Sequence, residues 1–96
     1  MENMENTGLA RIEDFQARLN ITFGGQNGDL PDPVSYDLSD QTIKTMVEEA
    51  IRTGSVPGIP NTEGVDLTDF KVDRFEPTAV RPYRLISVRP KTAFGI

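Results

Sequence analysis

The chain has 96 residues, 15 acidic against 10 basic, carries a net charge of −5, and contains neither His nor Cys. That length holds one domain around one core, and the missing residue types remove disulfides, thiolate chemistry, Cys-based zinc sites and the commonest general base near neutral pH. No run approaches the ~20 apolar residues of a membrane-spanning helix, and the opening Met1-Glu2-Asn3-Met4-Glu5-Asn6 lacks a basic region with an apolar run behind it, so a soluble, cytoplasmic protein is expected.

Charge is uneven along the chain. Residues 1–64 carry 11 acidic and 4 basic side chains, and residues 65–96 carry 4 acidic and 6 basic. Between Val80 and Ile96 stand Arg81, Arg84, Arg89 and Lys91 without a side-chain acid. The net negative field repels nucleic acid and anionic membranes at long range, so neither is expected as a partner. The C-terminal cations are expected to lie beside acids of other strands.

Residues 1–14 read as a flexible N-terminal tail or a short helical turn, because the doubled Met-Glu-Asn triplet offers nothing to bury. Phe15, Ala17, Leu19, Ile21 and Phe23 then alternate with Gln16, Arg18, Asn20 and Thr22, the period of a strand with one buried face, over 15–23. Gly24-Gly25-Gln26-Asn27-Gly28-Asp29 reverses the chain, and Leu30-Pro31-Asp32-Pro33 prolongs the connection. Val34, Tyr36 and Leu38 alternate with polar residues in a second strand, expected antiparallel to the first across this longish loop.

Ser39 or Asp40 is a good helix N-cap. Ile43, Met46, Val47, Ala50 and Ile51 follow at helical spacing, and Gly54 suits the position just beyond a C-terminus, which predicts a helix over 40–53. Asp40–Lys44 and Glu48–Arg52 are spaced to pair across one turn, each worth about 0.2–0.5 kcal/mol. Residues 55–64 hold two Pro and two Gly and read as an irregular loop. A third strand is expected over 68–75 and a last one over Tyr83–Arg89, where apolar residues on both faces suit an interior place in the sheet. Pro90 closes it, and 91–96 read as a tail, leaving one α+β domain over 15–90.

Few residues suggest chemistry. The glycine-rich turn lacks the Lys-Ser/Thr of a P-loop and the spacing of a dinucleotide fingerprint, so it reads as a hairpin turn. Asn27, Asp29 and Asp32 do not fit a calcium loop. Glu48 and Glu49, neighbours on a helix, point about 100° apart and read as a solvated face. No nucleophile elbow or Ser-Lys pair is present, so neither catalysis nor a cofactor is expected.

The segment Val34-Ser35-Tyr36-Asp37-Leu38-Ser39-Asp40-Gln41-Thr42-Ile43 is a strand, a Ser-Asp cap and Thr-Ile opening an amphipathic helix. This is similar to the corresponding part of ubiquitin-like proteins, and the order strand–strand–helix–strand–strand resembles their β-grasp arrangement. The resemblance implies an α+β fold with a mixed four- to five-stranded sheet packed on one helix and the last strand parallel to the first. It also implies a small non-catalytic adaptor that binds another protein by a sheet face or edge. The candidate contacts are Arg18, Asn20 and Thr22 on the polar face of the first strand and Arg84 and Arg89 in the last. Val56 and Ile59, apolar in the 55–64 loop, are further candidates unless they tuck onto the helix. A different branch of the resemblance implies a modifier or sulfur carrier acting through the tail Phe94-Gly95 once Ile96 is removed. A structural component of a larger assembly is the third reading.

Overall fold

The computed structural model describes residues 12–91; the tail before position 12 and the candidate conjugation residues Phe94 and Gly95 lie outside the described residues. The elements are β1 (Gln16–Phe23), β2 (Gln26–Asp29), β3 (Val34–Ser35), α1 (Asp40–Arg52), β4 (Phe70–Phe75) and β5 (Arg84–Pro90). All five strands join one mixed sheet of order β2-β1-β5-β4, with β3 also paired to β1. β1 runs antiparallel to β2 and β3 and parallel to β5, with Leu19 opposite Ile86 and Ile21 opposite Val88. β4 closes the far edge antiparallel to β5, and no helix among the described residues is long and apolar enough to cross a membrane.

The expected fold class holds, but the strand returning from β1 is in two pieces. Gly24 and Gly25 take φ of +60° and +80°, the positive values that a type I′ hairpin asks of both central residues. The chain therefore reverses at once, pairing Phe23 with Gln26, instead of crossing a long loop. Gln26–Asp29 has no apolar alternation and is held by its polar side chains. Asn20 Nδ2 donates to Asp29 Oδ1 (2.7 Å) and Asn27 Oδ1 (3.1 Å), and Asn27 Nδ2 donates to Asn20 Oδ1 (3.0 Å) and Thr22 Oγ1 (2.9 Å). Pro31 and Pro33 have no amide to donate, and pairing resumes only at Val34–Ser35 before Tyr36 and Asp37 turn away.

Helix α1 forms where the apolar stripe predicts it. Ser39 Oγ accepts from Thr42 N (3.1 Å), and Gly54 follows the end at φ +72°. Ile43, Val47, Ala50 and Ile51 are buried against Ala17, Leu19 and Ile21 of β1 and Ile86 and Val88 of β5. Each fully buried Leu, Ile or Val contributes about 1.5–3 kcal/mol of transfer free energy. The charged face of α1 departs from expectation: Asp40, Lys44 and Glu48 take tertiary partners, and Arg52 pairs within the helix with Glu49 instead of Glu48. Asp40 pairs with Arg74 (2.6 Å), Lys44 Nζ donates to Thr68 O (3.0 Å), Glu48 Oε2 accepts from Leu67 N (3.1 Å), and Arg52 pairs with Glu49. Exposed helix pairs are worth only tenths of a kcal/mol, and a carboxylate satisfying the amide of buried Leu67 is worth more.

The long loop after α1 belongs to the core. Val56 and Ile59 are buried within it, together with Leu67. The loop lies against β2 so closely that a Cβ built on Gly28 would stand 2.2 Å from Pro57 O.

Candidate functional site

Sheet pleating sends Ala17, Leu19 and Ile21 toward α1 and Arg18, Asn20 and Thr22 to the opposite, helix-free face. Those three candidates meet different fates. Asn20 and Thr22 are consumed in the amide ladder that holds β2. Arg18 is 9% exposed and lies over the ring of Tyr83, its Cζ 5.6 Å from the centroid. Arg89 is paired across strands, its Nη2 2.8 Å and its Nε 3.2 Å from Asp73 Oδ2. Val56 and Ile59 are core residues, so their side chains are withdrawn from any partner, and the tucked-in alternative describes them. Arg84 stands at the end of the sheet where β1 and β5 begin and β4 ends.

That end holds the exposed large apolar side chains found among the described residues. Phe15, Phe75 and Val80 are exposed large apolar side chains, at 65%, 42% and 94%. Phe15, expected on the buried face of β1, shares the parity of the core positions but lies out where the core no longer covers it. Its backbone is fixed nonetheless, since its carbonyl accepts from Tyr36 N (3.0 Å). Val80 rides on the connection from β4 to β5. A turn there is closed by Thr78 N donating to Arg81 O (2.8 Å) and Arg81 N donating to Thr78 Oγ1 (3.0 Å).

At this end lies an open cleft of about 490 Å³ lined by Asp14, Phe15, Tyr36, Asp37, Glu76 and Arg84. The Arg84 guanidinium stands over the Tyr36 ring (5.2 Å), its Nε donates to Glu76 Oε1 (3.2 Å), and its Nη1 donates to Asp14 O. Burial raises the Tyr36 hydroxyl above its ordinary pKa. The adjacent Glu76 carboxylate adds to the rise by accepting from the hydroxyl and repelling the phenolate, while Arg84 and Arg74 oppose it. Arg74 fixes the cleft from behind, donating from Nη2 to Leu38 O (2.5 Å) and from Nε to Tyr36 O (3.4 Å). Asp14, Asp37 and Glu76 do not converge, and no cluster that could hold a metal ion occurs among the described residues.

On the helix-free face of the same end, Arg81 stands over both Phe75 and Tyr83, 6.0 Å from each centroid. Its Nε donates to Tyr83 O (3.2 Å) and its Nη2 to Glu76 O (2.6 Å). Four guanidinium–ring pairs within about 6 Å occur among the described residues, all at this end, where each cation faces the negative face of a ring. Arg52, Lys71, Arg74, Arg84 and Arg89 have carboxylate partners; among the described residues Arg18, Arg81, Lys44 and Lys91 have none, and of these Arg18 and Arg81 meet at one ring. Arg18 Nη1 is sealed from solvent with no acceptor, an arrangement that costs about 1–3 kcal/mol or more for a charged donor.

The sequence pointed to part of this surface. The acid-free stretch after Val80 flags Arg81 and Arg84, and Phe75 and Tyr83 interleave with them. Tyr36, Glu76 and Phe15 carry no such signal, because only strand pairing brings them to the same end. The chain matches no protein-family model, no curated protein and no solved structure.

Proposed function

We propose that this protein is a non-catalytic protein-interaction module of ubiquitin-like, β-grasp type, and that it binds its partner with the end of the sheet around Phe15, Phe75, Val80 and Arg81. The observation that carries this reading is that exposed Phe15, exposed Phe75 and the connection bearing exposed Val80 fall at one end of the sheet, together with stacked Arg and Tyr residues. Arg, Tyr and other aromatic residues are enriched where interfaces hold most of their binding energy, around apolar anchors that lose water on association. The parallel pairing of β1 with β5 and the order β2-β1-β5-β4 support the β-grasp assignment.

The test is affinity capture from the native cells with the wild-type chain and with Val80→Asp, split between mild and denaturing washes and read by mass spectrometry. A partner retained by the wild type under mild washing and lost with Val80→Asp is expected. Partners surviving denaturation through Gly95 would instead make the protein a covalent modifier. Capture indifferent to Val80→Asp would remove this surface from the binding.

A further inference from the structure

Among the described residues, Arg18 is the one charged side chain that is both nine-tenths buried and without an acceptor for a sealed donor. It projects from near the start of β1, an inner strand, with Leu85 of β5 opposite it in register. Tyr83 covers its guanidinium on one side, and Arg81 stands over the same ring. Arg81 donates from Nε and Nη2 to the carbonyls of Tyr83 and Glu76, neutral acceptors that leave its charge uncompensated and other guanidinium N–H groups available. Two guanidiniums without counter-charge thus converge on one ring in a protein whose net charge is −5. A protein with excess acid has no shortage of carboxylates to place there, yet none is placed there among the described residues.

We propose that Arg18 and Arg81, both stacked at the Tyr83 ring, form a carboxylate-binding subsite that receives an acidic side chain from an extended segment of the partner protein. The inference rests on the interaction-module reading and names the chemistry of the partner. A planar carboxylate matches the guanidinium fork with two parallel hydrogen bonds and compensates both charges. The surroundings select its neighbours. Leu85, Phe75 and the exposed Val80 favour apolar residues on either side of the acid. A polyanion such as nucleic acid meets two positive groups here but a repulsive net field over the whole molecule. Tyr83 and Arg81 precede β5 on the 76–83 connection, so a carboxylate gains access by turning side chains, without breaking a strand pair.

The test uses the full chain and two blocked tripeptides, Leu-Glu-Leu and Leu-Gln-Leu, titrated while the guanidinium Nε–H signals of the arginines are followed by NMR. The Glu peptide should shift the Arg18 and Arg81 signals and bind roughly tenfold or more tightly than the Gln peptide, a margin that salt reduces. Arg81→Gln alters a half-buried side chain and should weaken Glu-peptide binding by about the same factor. Arg18→Lys, which keeps charge but loses the fork, should weaken it with the fold intact by circular dichroism. Equal binding of the two peptides, shifts confined to other arginines, or tighter binding of a single-stranded oligonucleotide would overturn the subsite. Failure here is separable from failure of the interaction reading. A partner lost with Val80→Asp but kept by Arg81→Gln leaves the module and rejects the carboxylate, and a partner kept by both variants rejects the surface.

Discussion

Replacing Gly28 with Ala puts a methyl group where the loop after α1 already stands. The added Cβ would lie 2.2 Å from Pro57 O and 3.0 Å from Val56 Cγ1, and contacts under 3.0 Å essentially do not occur. The obstacle is backbone, so the loop must retreat by at least 0.8 Å rather than turn a side chain aside. Val56 and Ile59, buried at 1% and 4% exposure, retreat with it. Fully exposing both would cost about 3–6 kcal/mol, and a forced adjustment within a packed core typically costs about 1–3 kcal/mol. A loss near 2 kcal/mol is expected, which lowers the urea midpoint by about 2 M for an m-value near 1 kcal/mol/M. The sign is informative because φ at Gly28 is not positive. A glycine in an ordinary conformation usually gains about 0.4–1 kcal/mol on replacement by Ala. Gly24→Ala is the control: nothing lies within 4 Å of its Cβ, so only its φ of +60° opposes the change, at about 1–2 kcal/mol. Chemical denaturation of the three proteins decides the matter. Gly28→Ala as stable as the wild type would mean that the loop does not pack on β2.

Three further outcomes follow from the same packing. Arg74→Met should destabilise by about 1–3 kcal/mol, chiefly by leaving the carbonyls of Tyr36 and Leu38 without a donor, because the pair with the largely exposed Asp40 adds little; a change below about 0.5 kcal/mol in urea would refute that accounting. Tyr36 should ionise above the ordinary value of 10.0 in an ultraviolet titration of a Tyr83→Phe variant, and Glu76→Gln should bring it part of the way back. Since its folded pKa is raised, the associated stability is fully present below the unfolded value and is lost as pH rises through the folded one; an upward move with Glu76→Gln would contradict the assigned cause. Val80→Ser should alter stability by less than about 0.5 kcal/mol, because a side chain 94% exposed has little to lose. A larger loss in thermal or urea unfolding would place Val80 in the fold rather than on a binding surface.

Local periodicity determined β1, α1 and the apolar centre of β5, and the reason is physical. An alternating or helical stripe buries one face whatever it meets, so Ala17-to-Phe23 and Ile43-to-Ile51 announce themselves without reference to the rest of the chain. The paired glycines announced a reversal for the same reason, since their φ requirement is local. Tertiary structure decided β2, whose Gln-Asn-Gly-Asp becomes a strand only through the amides that β1 offers it. It decided that Val56, Ile59 and Leu67 complete the core, because the helix and sheet leave an open side that a loop must fill. It also chose the partners of Asp40, Lys44 and Glu48, where contacts distant in sequence displaced the one-turn helix pairs. The candidate surface depends most on tertiary placement. Phe15 obeys the alternation of β1 yet lies exposed, and Arg18 takes the polar face that the alternation assigns it yet lies buried. Alternation sets which face a side chain takes, but the extent of the layer that covers that face sets whether water reaches it.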